Sequence, residues 1–248
     1  MKNKDLNLAV LIDADNIPHA HVKEMLNEIA KFGTPTIKRI YGDWTKRQVA
    51  GWKKPLLENA ITPIQQYSYT KGKNATDAAM IIDAMDILHS NKVNGFCLVS
   101  SDSDFTRLAT RLRESGMFVI GLGEKKTPSP FIVACDKFIY IEILGSTSKK
   151  ASKKPSQTTE SEQELDAIDQ TFIRLVKSSV NDLADDDGWA FLAEVGSLIM
   201  KKKPDFDPRN YGFTKLTPLI KSLKEDFIVD VREVAHTHIK HIYIKIKE

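Results

Sequence analysis

Two apolar runs in this chain stop abruptly in the same acidic pattern. Leu8-Ala9-Val10-Leu11-Ile12 is closed by Asp13 and Asp15, and Phe96-Cys97-Leu98-Val99-Ser100-Ser101 by Asp102 and Asp104. Each run has the length and near-continuous hydrophobicity of a strand buried on both faces, which confines it to the interior of a parallel sheet. The carboxyl ends of such strands line the ligand crevice of an open α/β sheet. Two acidic ends side by side would therefore gather four carboxylates. Four such charges repel one another unless a cation sits among them, so the pattern reads as a divalent-metal site.

The stretches around these runs fit the same architecture. Strands are expected near residues 7–13, 36–41, 61–67, 95–101, 117–122 and 138–143, with helices near 19–32, 46–59, 75–89, 104–115 and 129–135. This alternation predicts an α/β fold, a parallel sheet sandwiched by helices. Pro18 stands near the start of the first helix, and Gly33 and Gly116 follow helices at positions where a chain often turns left-handed. Residues 145–164, rich in Ser, Thr and Lys and nearly without large hydrophobes, read as a flexible linker. Beyond it, 165–182 carries a helical stripe, a short piece at Trp189-Ala190 precedes a helix over 191–202, Leu216, Leu219, Ile220 and Leu223 mark a third helix, and strands are expected at 227–231 and 238–246. Three helices and a β-hairpin make a winged helix, a common scaffold for binding nucleic acid. The expected division is thus 1–144, 145–164 and 165–248.

A third segment completes the acidic crevice. Lys71-Gly72-Lys73-Asn74-Ala75-Thr76-Asp77 is a basic, glycine-containing loop running into a helix, with Asp77 in the first turn on the side of Ile81. An inward-facing carboxylate needs a partner, which a metal or a bound lysine would supply; exposed, the same group would merely complement the helix dipole. Lys71 and Lys73 are candidate phosphate contacts. Asn16 offers an amide to substrate or metal-bound water. Asp104 doubles as a candidate helix cap, as do Asp15 and Asn16 for the helix after Pro18. Asp43, in Tyr41-Gly42-Asp43-Trp44, is a further candidate neighbour, whereas Asp83 and Asp86 lie elsewhere on the helical wheel and read as surface or structural. Trp44, Trp52 and Tyr69 are placed either to stack bases or to pack the domain. Gly121-Leu122-Gly123 lacks the spacing of a phosphate-binding loop.

Charge and cysteine usage narrow the class further. The net charge is +3 over 248 residues. Residues 1–144 carry 19 basic and 16 acidic side chains, and residues 165–248 carry 13 and 14. Metal at the acidic cluster would leave the first part more basic than its count, which suits a phosphate-bearing substrate. The start of the chain has no apolar signal region, and no stretch approaches the roughly 20 apolar residues that span a bilayer. Cys97 and Cys135 read as reduced core thiols, so a cytoplasmic protein without membrane attachment is expected.

Leu11-Ile12-Asp13-Ala14-Asp15-Asn16, the Lys73–Asp77 segment and Ser100-Ser101-Asp102-Ser103-Asp104-Phe105 resemble the NYN domains, LabA-like members of the PIN-like nuclease superfamily. Tyr41-Gly42-Asp43-Trp44 and the stretch from Gly121 through Cys135-Asp136-Lys137-Phe138 look like further landmarks of that family. Gly188-Trp189, Pro204-Asp205-Phe206-Asp207-Pro208-Arg209, Tyr211-Gly212-Phe213 and Leu216 resemble an OST-HTH, or LOTUS, domain. The first resemblance implies a PIN-like Rossmannoid fold and a Mg²⁺- or Mn²⁺-dependent ribonuclease, with endonucleolytic cleavage the expected mode. Asp13, Asp77, Asp102 and Asp104 match its acidic positions as metal ligands and catalytic residues. The second implies an RNA-binding module for single-stranded or structured RNA, with Lys201, Lys202 and Lys203 as candidate contacts and Lys240, Lys245 and Lys247 on the hairpin. The rival role for that lysine run is to offset a helix C-terminal dipole. Two other functions compete. An RNA-binding adaptor would keep the crevice without chemistry, and its near-neutral C-terminal domain would equally suit a protein partner. A HAD-type phosphatase would use Asp13 as nucleophile and Asp15 as acid, but Ile17-Pro18 and Ser101-Asp102-Ser103-Asp104 do not follow that pattern.

Overall fold

The computed structural model describes residues 6–67, 75–144, 165–233 and 240–247. Lys71, Lys73, Tyr69 and the 145–164 segment lie outside the described residues. The chain divides into two compact units, 1–156 and 157–248.

In the first unit six strands form one parallel sheet: β1 (Leu6–Asp13), β2 (Gly33–Gly42), β3 (Thr62–Gln65), β4 (Gly95–Val99), β5 (Phe118–Gly123) and β6 (Lys137–Tyr140). Their spatial order is β3-β2-β1-β4-β5-β6, so the direction of travel reverses between β1 and β4. The helices between strands are α1 (Val22–Ile29), α2 (Lys53–Asn59), α3 (Ala75–His89), α4 (Thr106–Glu114) and α5 (Ser129–Ala134). Right-handed crossovers put α1 and α2 on one face of the sheet and α3, α4 and α5 on the other. The sheet interior is dry: every residue from Leu8 to Leu11 and from Phe96 to Val99 is fully buried. Cys97 and Cys135 are free thiols in this core, and burial pushes both pKa values up, which keeps them protonated.

Two glycines act differently from the sequence expectation or add to it. Gly33 opens β2 rather than terminating a helix in a left-handed turn; a Cβ there would lie 2.2 Å from the Leu6 carbonyl oxygen, so close approach of β2 to β1 requires it. Gly123, at the tip of β5, would place a Cβ 2.6 Å from the Ser100 carbonyl oxygen. The Gly121-Leu122-Gly123 segment is accordingly packed strand. Gly116 does take the left-handed conformation after α4.

The second unit contains α6 (Gln170–Asn181), β7 (Ala190–Phe191), α7 (Leu192–Lys202), α8 (Leu216–Ser222), β8 (Phe227–Glu233) and β9 (Lys240–Ile246). Asp169 caps α6, accepting the Phe172 N–H at 2.8 Å. The sheet is antiparallel in the order β7-β9-β8, and its inner face packs Ile244 with Phe172, Val176, Val195 and Leu219. This is the helix and hairpin order expected of a winged helix. Among the described residues no helix is long and apolar enough to cross a membrane.

Candidate metal centre

The site forms where the strand order reverses, the position at which open α/β sheets bind ligands. Asp13 is the last residue of β1, pairs across the sheet with Tyr41, and is 1% exposed. Its Oδ2 accepts hydrogen bonds from Ser100 Oγ at 2.8 Å and Asn16 Nδ2 at 2.6 Å, and its Oδ1 accepts the Asp15 N–H at 3.1 Å. β4 ends at Val99, and Ser100 continues the line by donating its N–H to the Leu122 carbonyl. Ser100 Oγ also accepts the Asp102 N–H at 3.1 Å, so one buried hydroxyl ties the tip of β1 to the loop that carries Asp102.

That loop turns at once into a short 3-10 turn, Ser103–Phe105, leading into α4. Asp102 is its cap, accepting the Asp104 N–H at 2.9 Å. The cap expected at Asp104 therefore belongs to Asp102, and Asp104 sits exposed in the first turn. Asp77 is half-buried at the start of α3. Its inward placement agrees with the sequence expectation, although the fully buried line beneath it is Met80 and Ala84, with Ile81 only partly covered. Neither Asp15 nor Asn16 caps a helix: Pro18 occupies the cap position of the following 3-10 turn, which has no side-chain cap. The Asn16 amide is directed to Asp13 instead.

Oxygen atoms of Asp77, Asp102 and Asp104 lie within 4.8 Å of one another. Two oxygens on one Mg²⁺ at about 2.1 Å are at most ~4.2 Å apart, so a small side-chain adjustment would close the three on an ion. The donor set, all carboxylate oxygen, suits a hard divalent cation. Electrostatics agree. The Asp77 pKa is pushed up to about 6, first by burial and then by the charges of Asp13, Asp102, Asp104 and Asp15. Asp13 is also pushed upward, by burial against the opposing pull of its hydrogen bonds from Asn16, Ser100 and Asp15. Asp13 is outside the close trio, yet it exerts the largest charge effect on Asp77.

The remaining candidates separate from this centre. Asp43 is buried and accepts hydrogen bonds from Thr45 Oγ1 at 2.6 Å and Gln65 Nε2 at 3.1 Å, bracing the β2–β3 ends. Trp52 is buried in the core, and Trp44 Nε1 donates to the Ile64 carbonyl at 3.0 Å, so both tryptophans pack. In the second unit the lysine run divides: Lys202 pairs with Asp182 at 2.6 Å, Lys203 donates to Tyr211 Oη at 3.3 Å, and Lys201 is exposed.

Two groups of residues escaped sequence reasoning. Ser100 is legible as the end of an apolar run and as the start of the Ser100–Phe105 motif, but nothing local marks it as a partner of Asp13. Asp83 is the second case. It accepts hydrogen bonds from Tyr41 Oη and an ion pair from Arg39, fastening α3 to β2.

Comparison with known proteins bears on this geometry. The model of the NYN domain matches residues 7–142, and that of the OST-HTH/LOTUS domain matches residues 163–239. No curated protein matches the chain. Similar solved structures include an uncharacterized protein of Nitrosomonas europaea determined by solution NMR, 30% identical over 39% of this chain and 92% of that one, with a TM-score of 0.31. Another is a protein of unknown function from Vibrio parahaemolyticus, 17% identical over 57% of this chain and 96% of that one, with a TM-score of 0.48.

Proposed function

The chain belongs to the NYN domain family, whose members are generally ribonucleases, and carries an OST-HTH/LOTUS domain behind it; on that premise we propose that it is a divalent-metal-dependent ribonuclease whose C-terminal domain selects the RNA. The observation that carries the reading is the meeting of Asp77, Asp102 and Asp104 within 4.8 Å at the sheet's switch point, beside the buried Asp13.

In this reading Asp77, Asp102 and Asp104 would hold Mg²⁺ or Mn²⁺, with Asp13 as the fourth acidic member. A bound ion of that kind would generate a nucleophilic water at neutral pH and offset charge developing on the phosphate. The protein's own task is to hold the carboxylates in place. Ser100 and Asn16 fix the Asp13 oxygens, and the backbone N–H of Asp104 fixes Asp102. Two or more acids crowd each other until a cation arrives, so the site is built to favour occupancy. Lys71 and Lys73 supply positive charge for substrate phosphates, and Asn16, while holding Asp13, borders the substrate path. Cleavage is internal, in a cytoplasmic protein organised as a nuclease domain over 1–144, a linker over 145–164 and an RNA-selecting domain over 165–248.

The test uses labelled single-stranded and structured RNAs with Mn²⁺, Mg²⁺ or EDTA. The expected result is shortened RNA in either metal and intact RNA in EDTA. Binding of RNA at high protein concentration with no metal-dependent product would identify the adaptor instead.

A further inference from the structure

The outer face of the second unit's sheet carries an array that the metal centre does not explain. Strand register places Phe191, Tyr243 and Asp230 in one row across β7, β9 and β8, and His241 beside Arg232 in the next. On the other side of the first row, Lys245 pairs with Ile228, and Trp189 immediately precedes β7. The inner face of the same strands is the apolar one, with Ile244 fully buried and Val229, Ile242 and Ile246 packed on the helices. An antiparallel sheet covered on one side is expected to be polar on the other. Here the solvent face presents rings instead, none of them fully buried.

The rings are organised with cations. The Phe191 ring stacks on His241 at 5.0 Å between centroids and lies 5.7 Å from Tyr243. The Arg232 guanidinium lies 4.2 Å from the Tyr243 ring centroid and 5.1 Å from that of Trp189, and its Nε donates to Asp230 at 2.9 Å. Lys245 runs along the same face, its Cε near Gly188. Cross-strand aromatic pairs stabilise sheets by themselves, but that purpose needs neither a guanidinium spread over two rings nor a lysine alongside.

The geometry points to this face as a stacking platform for unpaired bases of single-stranded RNA. Phe191, Tyr243 and Trp189, with the planar guanidinium of Arg232, offer π-surfaces, and Lys245 and Arg232 offer charge to the phosphates. Single strands are bound by this combination of aromatic rings and basic side chains, because every base has a π-face and every nucleotide a charge. The assignment rests on RNA being the substrate, as proposed above, and adds the class recognised: unpaired nucleotides rather than a duplex. It also places recognition on the sheet rather than on the Lys201–Lys203 run.

The test measures binding of the full chain, in EDTA, to a short fluorescein-labelled single-stranded RNA and to its duplex. Tyr243→Ala and Phe191→Ala should each weaken single-strand binding at least about fivefold, since stacking of one base on one ring is lost. Tyr243→Phe and Phe191→Tyr should restore it, and Ile228→Ala, on the same face without a ring, should change nothing. If the alanine variants melt early, Lys245→Gln provides the second reading and should lower the salt dependence of binding. Folded alanine variants that bind as the parent does, or equal affinity for duplex, would each overturn the platform. The nuclease reading fails separately. Ring-dependent binding without any cut product in Mn²⁺ refutes the nuclease and leaves the platform standing, whereas metal-dependent cutting with ring-independent binding refutes the platform alone.

Discussion

Tyr41 pairs through its backbone with Asp13 on β1 while its hydroxyl is donated to Asp83 on α3. One residue thus joins the strand tip bearing the buried aspartate to the helix bearing Asp77. Burial pushes the phenol pKa well above its ordinary value, as does the Asp83 carboxylate, so the hydroxyl remains a donor at any working pH. Removing it in Tyr41→Phe should cost roughly 1.5–3 kcal/mol of stability, the net value of one hydrogen bond to a charged group. Cleavage should fall as well, because α3 loses the Tyr41 hydrogen bond that helps fasten it to β2. Paired denaturant unfolding and initial-rate measurements check this; an unchanged rate in a destabilised variant would separate the bond from the site.

The crowding of acids at the metal centre has a pH signature. The Asp77 pKa stands at about 6 against an ordinary 3.8. A carboxyl with a raised folded-state pKa favours folding when protonated, so its contribution is full below about pH 4 and is lost as pH rises through 6. In EDTA, lowering the pH from 7 to 5 should therefore stabilise the parent protein relative to Asp77→Asn, by on the order of 1 kcal/mol after solvent screening. Unfolding curves of both proteins at the two pH values measure it. A difference of opposite sign would contradict the electrostatic account.

Metal affinity should follow the same protonation. Mn²⁺ must displace the proton on Asp77, so affinity should weaken as pH falls below 6 and level off above it. Isothermal titration across that range reads the effect, and Asp77→Asn should remove the dependence together with much of the affinity.

Ser100 offers a test of support rather than ligation. Ser100→Ala removes the donor to Asp13 and the acceptor for the Asp102 N–H. Partners of this sort are worth roughly 10- to 100-fold in metal affinity or activity. The variant should remain folded and cleave at saturating Mn²⁺ better than Asp102→Asn does. Full parental affinity for Mn²⁺ would show that Asp13 needs no such anchor.

Much of the fold was legible because burial leaves a periodic record. Strands covered on both faces read as unbroken apolar runs, and both acidic ends stood out where those runs stopped. The helix over 75–89 was equally plain. Which strand lies beside which is a long-range fact, and the neighbourhood of β1 and β4 followed only from the crossover after β3. Polar partners were less visible. Asn16 offers the same amide whether it faces substrate or Asp13, and Asp83 reads as surface or structural on the helical wheel because nothing local marks Arg39 and Tyr41 as its partners. Gly33 illustrates a related limit: a glycine after a helix has two uses, and it is the packing against Leu6, whose carbonyl oxygen would lie 2.2 Å from a Cβ at position 33, that distinguishes them.

Whether the acidic centre performs chemistry is decided by single-turnover cleavage of labelled RNA by the parent protein and Asp102→Asn, each in saturating Mn²⁺. Asp102 is both a member of the close trio and the cap of the turn before α4, so an isosteric amide keeps the shape and removes the charge. The variant should cleave at least about 100-fold more slowly, a loss of ~2.7 kcal/mol in transition-state stabilisation, with RNA binding in EDTA unchanged. Equal rates in the two proteins would contradict a catalytic role for this centre.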